Sequence, residues 1–196
     1  MVAVAKPPYI TPQEYLDRER SAEYKSEYCD GVIYAISGAN EAHNLICINV
    51  ASELWHRFKR RPCQVLSSTM KVRVENTGLY TYPDVMALYG EARFGDRYKD
   101  VLLNPTLIFE VLSPSTEAYD RGQKFSHYQH IATLTDYVLI AQDRACVERY
   151  QRQTDGSWRY TRQEESQEII RFASLECELR LADIYDKVEF PAGDTI

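Results

Sequence analysis

Between Asn40 and about Arg60 the apolar residues fall at helical spacing. Ile46, Val50 and Leu54 recur every four positions, with Cys47, Ala51, Trp55 and Phe58 alongside. The pattern predicts the longest helix of the molecule, its wide apolar stripe suited to packing on a sheet, with Pro62 as its stop. Upstream, Thr11-Pro12-Gln13-Glu14 reads as a capping box with proline at the first helical position, opening a short helix to about Ser21. Tyr24–Tyr28 and Val32–Ile36 flank Asp30-Gly31, a dipeptide that tolerates the positive φ angles of a tight hairpin.

Strand-like runs follow. Cys63–Ser67 is one. Met70–Glu75 is another, with Met70, Val72 and Val74 alternating against Lys71, Arg73 and Glu75, which predicts one buried and one charged face. Asn76-Thr77-Gly78 turns the chain, and Tyr89–Asn104 is a long polar connection of the kind that serves as a lid or binding loop. Asp120 is expected to cap a helix running to about Ala132, in which Lys124, Tyr128 and Ile131 share a face. Asp136–Ala141, Cys146–Gln153 and Trp158–Arg162 are further strands, the last two joined at Asp155-Gly156, and Leu181–Tyr185 is a closing helix. Helices alternating with strands in this order imply an α/β or α+β domain built on a mixed sheet.

Two apolar runs break this pattern. Val85–Leu88 and Leu107–Leu112 are of strand length, yet Asp84 opens the first and Glu110 interrupts the second. A buried carboxylate is costly unless it is paired or binds a cation. Taken singly, Asp84 reads as a strand-entry residue and Glu110 as half of a salt bridge. Together, with Lys124 one turn into the following helix, they suit a hard divalent ion held by oxygen ligands. The plainer alternative for Lys124 is a surface pair with Asp120, and for His43, in the first turn of the long helix, a capping or surface histidine.

Composition narrows the classes. With 196 residues, 44% hydrophobic and 27% charged, the chain is expected to form one domain over 11–190, with flexible ends at 1–10 and 191–196. Five scattered cysteines without a C-x-x-C pair argue against zinc ribbons and disulfide frameworks and fit a reducing, cytoplasmic setting. No apolar run is of membrane-spanning length, and residues 1–8 hold none long enough for a signal peptide, so neither is expected. A net charge of -6 speaks against a sequence-blind nucleic-acid binder. Basic residues are nevertheless dense at Arg57–Arg61, at Lys71 and Arg73, and at Arg93, Arg97 and Lys99, either to follow a phosphate backbone or as solvated faces.

Glu27 before Asp30-Gly31, His43 at a helix head, Pro83-Asp84-Val85, the run Phe109-Glu110-Val111-Leu112-Ser113-Pro114-Ser115-Thr116, then Asp120, Lys124 and Tyr128, resemble the Uma-two type family of restriction-endonuclease-like proteins. That family belongs to the PD-(D/E)xK nuclease superfamily, and the resemblance spans about Thr11 to Leu181. It implies a restriction-endonuclease-like core, a central mixed sheet flanked by helices. It implies Asp84, Glu110 and the Val111 carbonyl as ligands for Mg2+ or Mn2+, and Glu27 as a further acid. Lys124 would be the catalytic lysine, since the usual lysine position holds Leu112, with His43, Asp120 and Tyr128 as accessory residues. The implied activity is metal-dependent hydrolysis of nucleic-acid phosphodiesters, with DNA as the substrate and a homodimer as the assembly. The alternatives are a non-catalytic DNA-associated or protein-interaction module on the same fold and, on fold analogy alone, a phosphatase or small-molecule phosphodiesterase.

Overall fold

The computed structural model describes residues 8–36 and 38–191, so the expectations for most of both termini lie outside the described residues. Helix α1 (Pro12–Glu19) begins with the complete capping box: Glu14 N–H donates to Thr11 Oγ1, and Glu14 Oε2 accepts the Thr11 N–H at 2.8 Å. Strands β1 (Ser26–Cys29) and β2 (Val32–Ala35) form the hairpin, with Asp30 at φ 46° and Gly31 at φ 83°. A Cβ at position 31 would collide with the Tyr9 ring, so glycine is required there by packing as well as by φ. Helix α2 (Glu41–Phe58) starts from Asn40, whose side chain accepts the His43 N–H.

Two sheets then share the interior. Strands β3 (Cys63–Ser67), β6 (Val85–Tyr89), β8 (Leu107–Leu112), β9 (Asp136–Ala141), β10 (Val147–Arg152) and β11 (Trp158–Gln163) form the larger, in the order β11-β10-β9-β8-β6-β3. Only the central β8–β9 pair in it is parallel. The smaller sheet has the order β2-β1-β5-β4-β7, from β4 (Lys71–Val74), β5 (Leu79–Thr81) and β7 (Val101–Leu102) with the first hairpin.

The two faces of the larger sheet bury different partners. Val85, Ala87, Leu107, Phe109 and Val111 pack against Ile46, Val50, Leu54 and Phe58 of α2. On the same face lie β12 (Ile169–Phe172), β13 (Cys177–Arg180) and helix α5 (Leu181–Ile184). Met86, Leu88, Ile108 and Leu112 point the other way, toward Val72, Val74 and Leu79 of the smaller sheet and toward Phe125 and Tyr128. Tyr15, Tyr28 and Tyr80 form a separate cluster between α1 and the smaller sheet, with the Tyr15 and Tyr28 rings stacked 5.0 Å apart. The result is a mixed α/β architecture.

Several expectations are corrected. Asp120 caps no helix: the helical segment begins earlier, as α3 (Glu117–Tyr119), and continues through a π-helical turn (Asp120–Lys124) into α4 (Phe125–Tyr128). Lys71 does not line a charged face, because it is buried and its Nζ lies 3.1 Å from Asp100. Leu79–Thr81, between the Asn76-Thr77-Gly78 turn and the Asp84 strand and assigned no element from the sequence, is a fully buried strand, and the stretch after Ile169 is a hairpin. The long connection from Tyr89 to Asn104 is tied down by Arg20, which pairs with both Asp96 and Asp100, and contributes β7.

Candidate functional site

The site lies at the end of β6 and β8, between the larger sheet and the helical segment 117–128. Val85 pairs with Phe109, and two residues before it Pro83 lacks the N–H needed to extend the ladder. The Asp84 side chain takes over there, its Oδ2 accepting the Val111 N–H at 2.8 Å. The same oxygen lies 3.2 Å from His43 Nε2, brought in from the first turn of α2. On the other side of His43, Nδ1 is 3.5 Å from Cys47 Sγ, one helical turn along.

Glu110 faces the opposite way, into the space below the smaller sheet. Its Oε1 accepts the Tyr128 hydroxyl at 2.8 Å and lies 2.9 Å from Lys124 Nζ. That ammonium is also 3.2 Å from Glu27 Oε1 on β1 and 3.4 Å from Asp120 Oδ1, one turn back on its own helix. Thr81 donates its hydroxyl to Glu27 as well. The π turn allows this convergence by widening the helix between Asp120 and Lys124, so that both side chains are buried on one face. Phe125, stacked against the neighbouring rings of Tyr137 and Tyr150, and the Tyr137 hydroxyl, which donates to the Asp120 carbonyl, fix the helix on the sheet.

Charge is unbalanced here. Glu27, Glu110 and Asp120 surround a single ammonium, leaving a formal excess of two negative charges. Burial pushes the Glu110 carboxyl well above the usual carboxylate range; Lys124 pulls it down, and Asp120 and Asp84 add to the rise. Burial opposes the charge on Lys124, yet Glu110, Glu27 and Asp120 together hold it well above the ordinary lysine value, as an ammonium. The donor chemistry fits a divalent cation. The second oxygens, Asp84 Oδ1 and Glu110 Oε2, accept no hydrogen bond from the described residues and are available to a cation.

Of the residues singled out from the sequence, Glu27, Glu110, Asp120, Lys124 and Tyr128 meet in one buried cluster. Asp84 stands at its edge, joined to β8 through the Val111 amide and to α2 through His43. Sequence reasoning missed Thr81 and gave Cys47 only a packing role. The four-residue spacing of His43 and Cys47 on a helix was the available signal for the latter. The basic clusters are partly spent on pairing, Arg57 with Glu53 and Arg61 with the Leu175 carbonyl at 2.7 Å, whereas Arg93, Arg97 and Lys99 are exposed. No helix among the described residues is long and apolar enough to cross a membrane.

Comparison with known proteins agrees with this architecture. A crystal structure titled as that of "a putative nuclease belonging to DUF820" from Anabaena variabilis ATCC 29413 superposes with a TM-score of 0.72 at 19% identity, covering 90% of this chain and 97% of its own. Two proteins of Synechocystis sp. are similar in sequence, both named as uncharacterized. The one designated slr1290 is 37% identical over 152 residues, 77% of this chain and 78% of its own length. The other, sll1609, is 38% identical over 161 residues, 82% and 91% respectively. The model of the family described as "Uma2: Putative restriction endonuclease" matches residues 12–183, and the chain belongs to that family.

Proposed function

We propose that the protein is a divalent-metal-dependent endonuclease that hydrolyses phosphodiester bonds of DNA. The observation that carries this reading is the convergence of the Glu27, Glu110 and Asp120 carboxyl groups on Lys124, with Asp84 at their edge, in a chain of this family. Asp84, Glu110 and the Val111 carbonyl would hold the ion, Mg2+ or Mn2+. When bound, such an ion supplies Lewis acidity toward the phosphoryl oxygens and makes a water acidic enough to act as nucleophile.

The chain's own groups do the rest. Val111 N–H and His43 orient the Asp84 carboxylate, and the Tyr128 hydroxyl orients that of Glu110, as outer contacts of metal ligands do. Lys124 replaces the lysine absent at Leu112, offering a fixed positive charge beside the attacking water or the charge that develops on phosphate. Glu27 steadies that ammonium from β1. Cutting both strands of a duplex calls for two such sites, which a homodimer would provide; Val32, Tyr34 and Ile36, exposed at and just after edge strand β2, are the apolar surface we assign to it.

The test is cleavage of plasmid DNA in Mg2+ or Mn2+ by the parent and by Asp84→Ala and Glu110→Gln proteins. Cleavage by the parent alone supports the reading. An Asp84→Ala protein as active as its parent overturns the assignment. A parent inert toward DNA, and no more heat-stable in millimolar Mg2+ or Mn2+ than in chelator, favours the non-catalytic module.

A further inference from the structure

We infer that His43, Cys47 and Asp84 form a second kind of metal site, one that takes a borderline-soft divalent ion such as Zn2+ or Co2+ and competes with the hard ion for Asp84. One ring nitrogen of His43, the Cys47 sulfur and an Asp84 oxygen all lie within 4.8 Å of one another. Bonds of about 2.0–2.3 Å from a tetrahedral Zn2+ to N, O and S ligands set these atoms about 3.3–3.7 Å apart, so only a small closure is needed. The His43–Asp84 and His43–Cys47 contacts, at 3.2 and 3.5 Å, are already at that spacing, although they use different nitrogens of the ring. Shared ligation requires the imidazole to turn so that one nitrogen faces both partners, within the 4.8 Å that already encloses the three donor atoms.

The donor types decide the class of ion. Mg2+ takes oxygen ligands, whereas a thiol, an imidazole and a carboxylate together select zinc-like ions. His43 and Asp84 side chains are each 16% exposed and Cys47 is half-buried, so an ion can enter and a water can fill the fourth position. On binding, the thiol proton leaves to solvent as the sulfur–metal bond forms.

A thiol, an imidazole and a carboxylate in series also resemble a nucleophilic triad. Burial pushes the Cys47 thiol far up, with Asp84 and Glu110 adding to the rise, which is the reverse of an activated nucleophile. The site itself stands without the nuclease reading. Its consequence, inhibition of cleavage by Zn2+ through capture of Asp84, rests on it.

The experiment titrates Co2+ into the full chain in a thiol-free reductant and follows the near-ultraviolet thiolate-to-cobalt charge-transfer band. The expected result is a band saturating at one equivalent, abolished by Zn2+, retained in Cys177→Ala and lost in Cys47→Ala. Cobalt affinity in Cys47→Ala should fall by at least about tenfold. No band in the parent, or a band that survives Cys47→Ala, overturns the inference. Cysteine 47 takes no part in the proposed cleavage, so Cys47→Ala should keep Mg2+-dependent activity while resisting Zn2+. An inert parent with the band present sinks the nuclease and leaves the site. An active parent without the band does the opposite.

Discussion

Lys124 Nζ and Glu110 Oε1 are 2.9 Å apart, joining a helix to the centre of the larger sheet across a space that both side chains fill. Glu27 and Asp120 depend on that same ammonium. Removing one partner of a buried ionic group leaves the other uncompensated, at a cost of about 3–5 kcal/mol. Lys124→Met should lose stability on that order at neutral pH, as read by urea unfolding, and Mg2+ should stabilise the variant more than the parent.

Glu110 is also held by Tyr128. Tyr128→Phe keeps the ring in its packing place and deletes only the hydroxyl. A hydrogen bond to a charged group contributes about 1.5–3 kcal/mol. The variant should therefore fold, unfold at lower urea than the parent, and bind Mn2+ more weakly in a calorimetric titration, because the carboxylate loses a group that orients it.

The Asp84 carboxylate has two separable duties, as an acceptor for Val111 N–H and as a charge. Asp84→Asn preserves the first through its amide oxygen, whereas Asp84→Ala strands the Val111 amide at a cost of about 1–3 kcal/mol. Both variants should be inactive on DNA. Only the alanine protein should show a lowered melting temperature in chelator, and equal melting of the two would disprove this role.

Far from the site, Arg20 and Lys71 hold the Asp100 carboxyl below its usual 3.8, Arg20 being the larger cause. An acid whose folded pKa is depressed adds stability above its unfolded pKa and loses it as pH falls through the folded value. The tether of the 89–104 connection is therefore complete above about pH 4 and weakens below it. Amide protection in this segment, relative to the intrinsic exchange rate at each pH, should fall at acid pH before that of β8 and β9, and Asp100→Asn should show the lower protection already at neutral pH.

Local signals carried much of the architecture. The capping box at Thr11, the Asp30-Gly31 turn and the apolar stripe of α2 depend on residues a few positions apart, and the structure reproduces each. The two carboxylates were legible because Asp84 and Glu110 interrupt apolar runs. What escaped depends on distant partners. Lys71 could be buried only because Asp100, from a connection that reads as loop, folds back on it. Leu79–Thr81 is too short to show a period, and Thr81 acquires meaning only where β1 presents Glu27 beside it. Asp120 resembled a helix cap because its sequence is that of one, but the turn at Ser113–Thr116 starts the helix earlier.

The π turn at Asp120–Lys124 makes the spacing of this segment indivisible. An ordinary helix advances about 100° per residue, so trimming one residue to regularise the turn would swing everything beyond it by about that angle. The Tyr128 hydroxyl would rotate off Glu110, and Phe125 would leave its place against the Tyr137 and Tyr150 rings. A substitution along 120–128 removes one contact and leaves the others in register, whereas an engineered or natural variant that shortens this stretch is expected to forfeit the whole cluster while keeping both sheets.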